Sequence, residues 1–120
     1  MASERRILIV DDNLGLAENI AEVLRLDGHT TEVVGSAEEA LVRVGLRAPD
    51  VIVTDYRLPG LGGAAFVKRV REVRRDVRAV VISAYTDEET VRQAEEAGAT
   101  FVAKPIDLSR LRRLVCDGGS

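Results

Sequence analysis

At 120 residues, 46% hydrophobic and 31% charged, the chain has the size and balance of one globular domain with one core, able to fold without staples. A net charge of −3 gives no electrostatic footprint for direct nucleic-acid binding. No apolar stretch approaches the ~20 residues that span a bilayer, and there is no signal-peptide core. The lone Cys116 allows no internal disulfide and no Cys/His metal set, so a reducing, cytoplasmic setting is expected.

Strand-like runs alternate with helical patterns five times. Ile7-Leu8-Ile9-Val10 reads as a first strand ending in Asp11-Asp12. The helical spacing of Leu14, Ala17, Ile20, Ala21 and Leu24 follows, with Gly28 as a stop. His29 falls in the next turn and reads as a solvated loop residue. Thr30 to Val34 is a second strand, polar enough for an edge. Ser36 and Glu39 form a capping box before a helix carrying Ala37, Ala40, Leu41 and Val44, with Gly45 as its expected end.

Val51-Ile52-Val53-Thr54 ends in Asp55, and Pro59-Gly60 marks a loop. Gly62-Gly63 leads into a helix with Phe66, Val70 and Val73 on its apolar side, and Arg69, Arg71, Arg74 and Arg75 on its solvated side. Val80-Val81-Ile82 ends in Ser83. Thr86 and Glu89 suggest a second capping box before a thin apolar face of Val91, Ala94 and Ala97, closed by Gly98. Thr100-Phe101-Val102-Ala103 ends in Lys104, and Asp107 can cap a last helix with Leu108, Leu111, Leu114 and Val115. The domain is expected over residues 1–117, with 118–120 a tail or the first residues of a linker.

Continuous aliphatic runs mark strands one, three and four as buried on both faces. With right-handed crossovers, an α/β fold follows: a doubly wound, five-stranded parallel sheet in the order 2-1-3-4-5. Ligands of such sheets bind beyond the carboxyl ends of the strands, at the switch point of the topology. That edge collects Asp11, Asp12, Asp55, Ser83 and Lys104. At ~4 Å separation and an effective dielectric of ~20, each carboxylate pair costs about 4 kcal/mol. Either some are protonated or a cation neutralises them. All-oxygen ligands favour a hard ion, of which Mg²⁺ is the common choice. An aspartate beside a metal and a lysine is equipped to accept a phosphoryl group as an acyl phosphate. Lys104 is one of only two lysines, with Lys68, in an arginine-rich chain, so its place at a strand end carries weight.

Asp11-Asp12, Asp55 followed by Tyr56-Arg57-Leu58-Pro59-Gly60, Ser83-Ala84, and Gly98 through Lys104-Pro105, in that order and spacing, resemble the receiver domain of bacterial response regulators, with its flavodoxin-like (βα)5 fold. The resemblance runs from about Arg6 to Val115. It implies that Asp55 is the phosphoacceptor, that Asp12, Asp55 and the backbone carbonyl of Arg57 bind Mg²⁺, and that Asp11 acts through metal-bound water. It implies that Lys104 pairs with Asp55 at rest and with a phosphoryl oxygen after transfer, that Ser83 bonds another phosphoryl oxygen, and that Phe101 changes rotamer as Ser83 moves. The Lys104-Pro105 bond has the residues for the family's frequent cis form. Ser83 stands for a commoner threonine, and Phe101 lacks a hydroxyl often present there.

The resemblance further implies a switch rather than a turnover enzyme, charged by a histidine kinase or phosphotransfer domain. Its output would be a domain beyond residue 120 or a homodimer through the face near Asp87–Val115. An aspartate-nucleophile phosphatase is the enzymatic alternative, but the adjacent Asp11-Asp12 differs from that class's Asp-x-Asp, and no cap domain is evident. A phosphorylation-independent interaction module is the other alternative. Dinucleotide binding fails for want of a Gly-rich loop after the first strand.

Overall fold

The computed structural model describes residues 4–116, so the expected boundary at 117 and the tail at 118–120 lie outside the described residues. Five parallel strands form one sheet in the order β2-β1-β3-β4-β5: β1 (Arg6–Val10), β2 (Thr30–Val34), β3 (Val51–Asp55), β4 (Arg78–Ser83) and β5 (Thr100–Ala103). The helices are α1 (Leu14–Leu26), α2 (Ala37–Leu46), α3 (Gly63–Val73), α4 (Glu88–Glu96) and α5 (Leu108–Cys116). The expected strand order and the polar edge strand β2 are both present.

Alternation along the central strands splits the core in two. Ile7, Ile9, Val51, Val53, Val80 and Ile82 face α1 and α5. Leu8, Val10, Ile52 and Val81 face α2, α3 and α4, where Phe66 is fully buried. Both faces being covered explains why these strands read as unbroken aliphatic runs. Register places Val10 beside Thr54 and Asp55 beside Ile82, so β1 and β3 end together at the switch point.

Several local expectations are corrected. Gly45 lies inside α2, which ends at Leu46 with Arg47 extended; Pro49, two residues on, has no N–H with which to continue the helix. Val73, the last residue of α3, is 74% exposed; Val67 takes its place in the core. Leu14 is also largely exposed. Thr86 does not cap α4. Asp87 does, accepting from Thr90 N at 3.1 Å and from its hydroxyl at 2.8 Å, because an ionised acceptor at a helix start is the stronger cap. Arg71 turns inward and donates to the Val77 carbonyl at 2.6 Å.

His29 is buried rather than solvated, and its Nδ1 accepts from Arg5 N at 3.0 Å. The caps by Ser36 on Glu39 N and by Asp107 on Arg110 N form as expected. Gly28 and Gly98 both adopt φ +94° where α1 and α4 end, a conformation that costs glycine little.

Candidate functional site

The carboxyl ends of β1 and β3 bring one carboxylate oxygen each of Asp11, Asp12 and Asp55 within 4.8 Å of one another. The two acidic residues after β1 are not spent on capping α1. That task falls to Asn13, whose Oδ1 accepts from Leu16 N at 3.2 Å. Asp11 accepts from Asn13 N at 2.9 Å and is buried, while Asp12 is exposed and Asp55 lies between these extremes.

Asp55 is held from two sides. Lys104 Nζ lies 2.9 Å from its Oδ1, and Arg57 N donates to its Oδ2 at 3.2 Å. Lys104 reaches it because β5 ends one strand beyond β4: Lys104 N donates to the Ser83 carbonyl at 2.8 Å, and the Lys104-Pro105 peptide bond is cis. The Asp11 carboxyl is raised above its ordinary 3.8, first by burial, with the charges of Asp55 and Asp12 adding to it; the Asn13 N–H and Lys104 oppose the rise. The folded state therefore holds the Asp11 proton more tightly than the unfolded state. This carboxyl costs stability as pH climbs from the ordinary value through the raised one, and the cost persists at neutral pH. An all-oxygen set of three converging carboxylates, of which Asp11 is buried and resists ionisation, is chemically suited to a hard divalent cation.

Ser83 is 2% exposed. Its Oγ accepts from Tyr85 N at 2.9 Å, which leaves the hydroxyl proton to donate. Phe101, opposite Val81 in the sheet, is half-buried against the core on the α2–α4 side. The structure thus brings Asp11, Asp12, Asp55 and Lys104 into one cluster and places Ser83 beside it on β4, with Phe101 further back along β5.

Two contacts were not visible in the sequence. The Arg57 guanidinium stacks on the Tyr85 ring, 4.2 Å from its centroid, bridging the loops that follow β3 and β4. The Tyr56 hydroxyl donates to Gln93 Oε1 on α4. The partners lie 28 and 37 positions apart in the chain, so no local spacing signals either pair.

A family profile described as the response regulator receiver domain matches residues 7–116. Sporulation initiation phosphotransferase F of Bacillus subtilis is 32% identical over 111 residues, covering 92% of this chain and 90% of that protein. DNA-binding response regulator MtrA of Mycobacterium tuberculosis is 39% identical over 102 residues, which is 84% of this chain but only 44% of that protein. Among solved structures, the receiver domain of Francisella response regulator 1452 superposes with a TM-score of 0.85 at 26% identity, covering 92% of this chain and 93% of that one. A Vibrio cholerae chemotaxis protein, CheY4, at 24% identity and a TM-score of 0.87, shares the fold. On this fold and these matches, the chain belongs to the receiver domain family of two-component response regulators.

Proposed function

We propose that this receiver domain accepts a phosphoryl group on Asp55 from the phosphohistidine of a histidine kinase or phosphotransfer domain. In the step, the P–N bond to the donor imidazole breaks, its electron pair stays with the ring, and a P–O bond forms to the Asp55 carboxylate. The observation that carries the reading is the convergence of Asp11, Asp12 and Lys104 on Asp55. Asp12, Asp55 and the Arg57 carbonyl would hold Mg²⁺, with Asp11 acting through its water. When bound, the ion would neutralise the carboxylates and the charge of the incoming phosphoryl group. Lys104, already at Asp55 Oδ1, would follow a phosphoryl oxygen, and the Ser83 proton would donate to another.

The domain is read as a switch, with output through the face near Asp87–Val115 to a further domain or a second copy, and with Phe101 answering the movement of Ser83. Direct nucleic-acid contact is not part of this role; the relative named as DNA-binding is more than twice the length of the matched region. No helix among the described residues is long and apolar enough to cross a membrane. A cytoplasmic setting is proposed because there the donor histidine has ATP to charge it.

The direct test is intact-mass analysis after incubation with acetyl phosphate and Mg²⁺. One added phosphoryl group is expected, and none when the metal is chelated. An unmodified mass under both conditions overturns the reading.

The metal assignment has its own test. Asp12→Ala is expected to weaken Mg²⁺ binding about ten-fold or more, since even outer-shell partners cost that much. Without metal, the variant should melt at or above the parent temperature because a repelling charge is gone. Titration of thermal melts with Mg²⁺ checks both halves, and an equal gain in variant and parent refutes the ligand role.

The Arg57–Tyr85 stack concerns lifetime. Hydrolysis needs water in line with the acyl phosphate bond, and the stacked pair bridges the two loops flanking that approach. Cation–π contact at an exposed site is worth roughly 0.5–1 kcal/mol, enough to favour the closed arrangement. Neither side chain offers a carboxylate or amide to orient the attacking water, so the phosphorylated form should be long-lived. Replacing the pair by Arg57→Asn with Tyr85→Glu is expected to speed loss of the adduct by about ten-fold, a barrier change near 1.4 kcal/mol. An unchanged decay rate removes these residues from control of lifetime.

A further inference from the structure

α4 buries the smallest side chains of the five helices, Thr90 and Ala94, with Ala97 at its C-cap. Few apolar contacts therefore hold it. Its ion pairs stay on its own surface, Arg92 with Glu89 and Glu96, and contribute nothing to docking. Among the described residues, one side-chain hydrogen bond ties α4 to another element: Tyr56 Oη donates to Gln93 Oε1.

Both ends of that bond are set. Gln93 Nε2 donates to Glu89 Oε1 at 2.9 Å, which orients the amide with its oxygen towards Tyr56. Tyr56 N donates to the Ile82 carbonyl at 2.8 Å, and its own carbonyl accepts from Gly63 N at 2.8 Å. Tyr56 is also the residue covalently next to Asp55. A group added to Asp55 would act on the backbone from which this phenol projects, a route to α4 that does not require Ser83 or Phe101.

We propose that Tyr56 is a positioning residue that holds α4 in its resting place through Gln93, and that a phosphoryl group on Asp55 releases α4 by breaking this bond. A bond with one exposed partner is weak enough to be broken and, on a thinly packed helix, large enough to matter. The second half of the proposal rests on Asp55 being the phosphoacceptor; the first half does not.

Hydrogen exchange over residues 88–96 tests it in the parent, Tyr56→Phe, Gln93→Ala and the double variant. At rest, each single variant is expected to exchange about five-fold faster there, the effect of one net hydrogen bond, with α1 and α2 unchanged. The double variant should exchange no faster than the single ones, as for two partners of one interaction. Exchange in Tyr56→Phe equal to the parent, or single effects that multiply in the double variant, overturns the tether.

After acetyl phosphate and Mg²⁺, with the adduct verified by mass, the parent's α4 should rise towards the Tyr56→Phe level, while the variant's rises less. Equal rises in both overturn the signalling half. A parent that takes no phosphoryl group overturns the Asp55 reading instead, and the resting comparison alone then decides the tether.

Discussion

Asp55→Asn is expected to abolish phosphoryl gain entirely while leaving the fold in place. The amide oxygen that replaces a carboxylate oxygen carries no full negative charge and is a poor nucleophile, so no acyl phosphate forms. The amide keeps the shape of the carboxyl and can still accept from Arg57 N, which now lies 3.2 Å from Oδ2. Lys104 loses its anionic partner, but its side chain is 29% exposed and can be hydrated. The lost pair is offset by relief at Asp11, whose carboxyl the Asp55 charge helps to raise. Intact mass after acetyl phosphate and Mg²⁺ should show the adduct in the parent and none in the variant, with melting temperatures within a few degrees, as for a partly exposed ion pair. Equal labelling of the two proteins would move the phosphoacceptor elsewhere.

The site was legible because it is built where periodicity ends. A buried parallel strand reads as an aliphatic run, so the polar residue that closes it marks the sheet edge, and Asp11, Asp55, Ser83 and Lys104 stand at those four ends. The strand order followed from which runs were polar. What the sequence hid depends on partners far along the chain or on competition between neighbours. His29 gave no sign of burial because its acceptor role is satisfied by the backbone of Arg5, 24 positions away. Thr86 and Asp87 both precede the same helix, and the charged acceptor won over the pattern that favoured its neighbour. Arg57 and Tyr85 follow β3 and β4 on separate loops, and nothing in their local sequence shows that they stack. Tyr56 carried no signal at all, since its partner Gln93 lies on a face that the sequence shows only as thin.

Gly63→Ala is expected to be the most damaging single-methyl change near the site. A Cβ at Gly63 would sit 2.1 Å from the Asp55 carbonyl oxygen, 3.0 Å from Tyr56 Cα and 3.1 Å from the Asp55 carbonyl carbon. All three are backbone atoms, so no side chain can swing away. The requirement is close approach, where α3's first residue packs against the end of β3 and Gly63 N donates to the Tyr56 carbonyl; left-handed backbone is not involved. Alanine is the better helix former by up to about 1 kcal/mol, but overpacking of this kind costs roughly 1–3 kcal/mol or more, and here neither backbone can yield freely. A net loss of about 2 kcal/mol should lower the melting temperature by roughly 5–15 °C. Because the atom displaced is the carbonyl of Asp55 itself, phosphoryl gain should slow as well. Gly62→Ala is the control: its Cβ would meet only the Tyr56 carbonyl oxygen at 3.7 Å, ordinary contact, and its φ of −69° suits any residue. That variant should lose only about 0.5–1 kcal/mol, because Gly62 is the N-cap of α3 and alanine caps less well than glycine, without any close contact to relieve. Equal losses at positions 62 and 63 would mean that helix entry in general, rather than contact with β3, sets the demand for glycine.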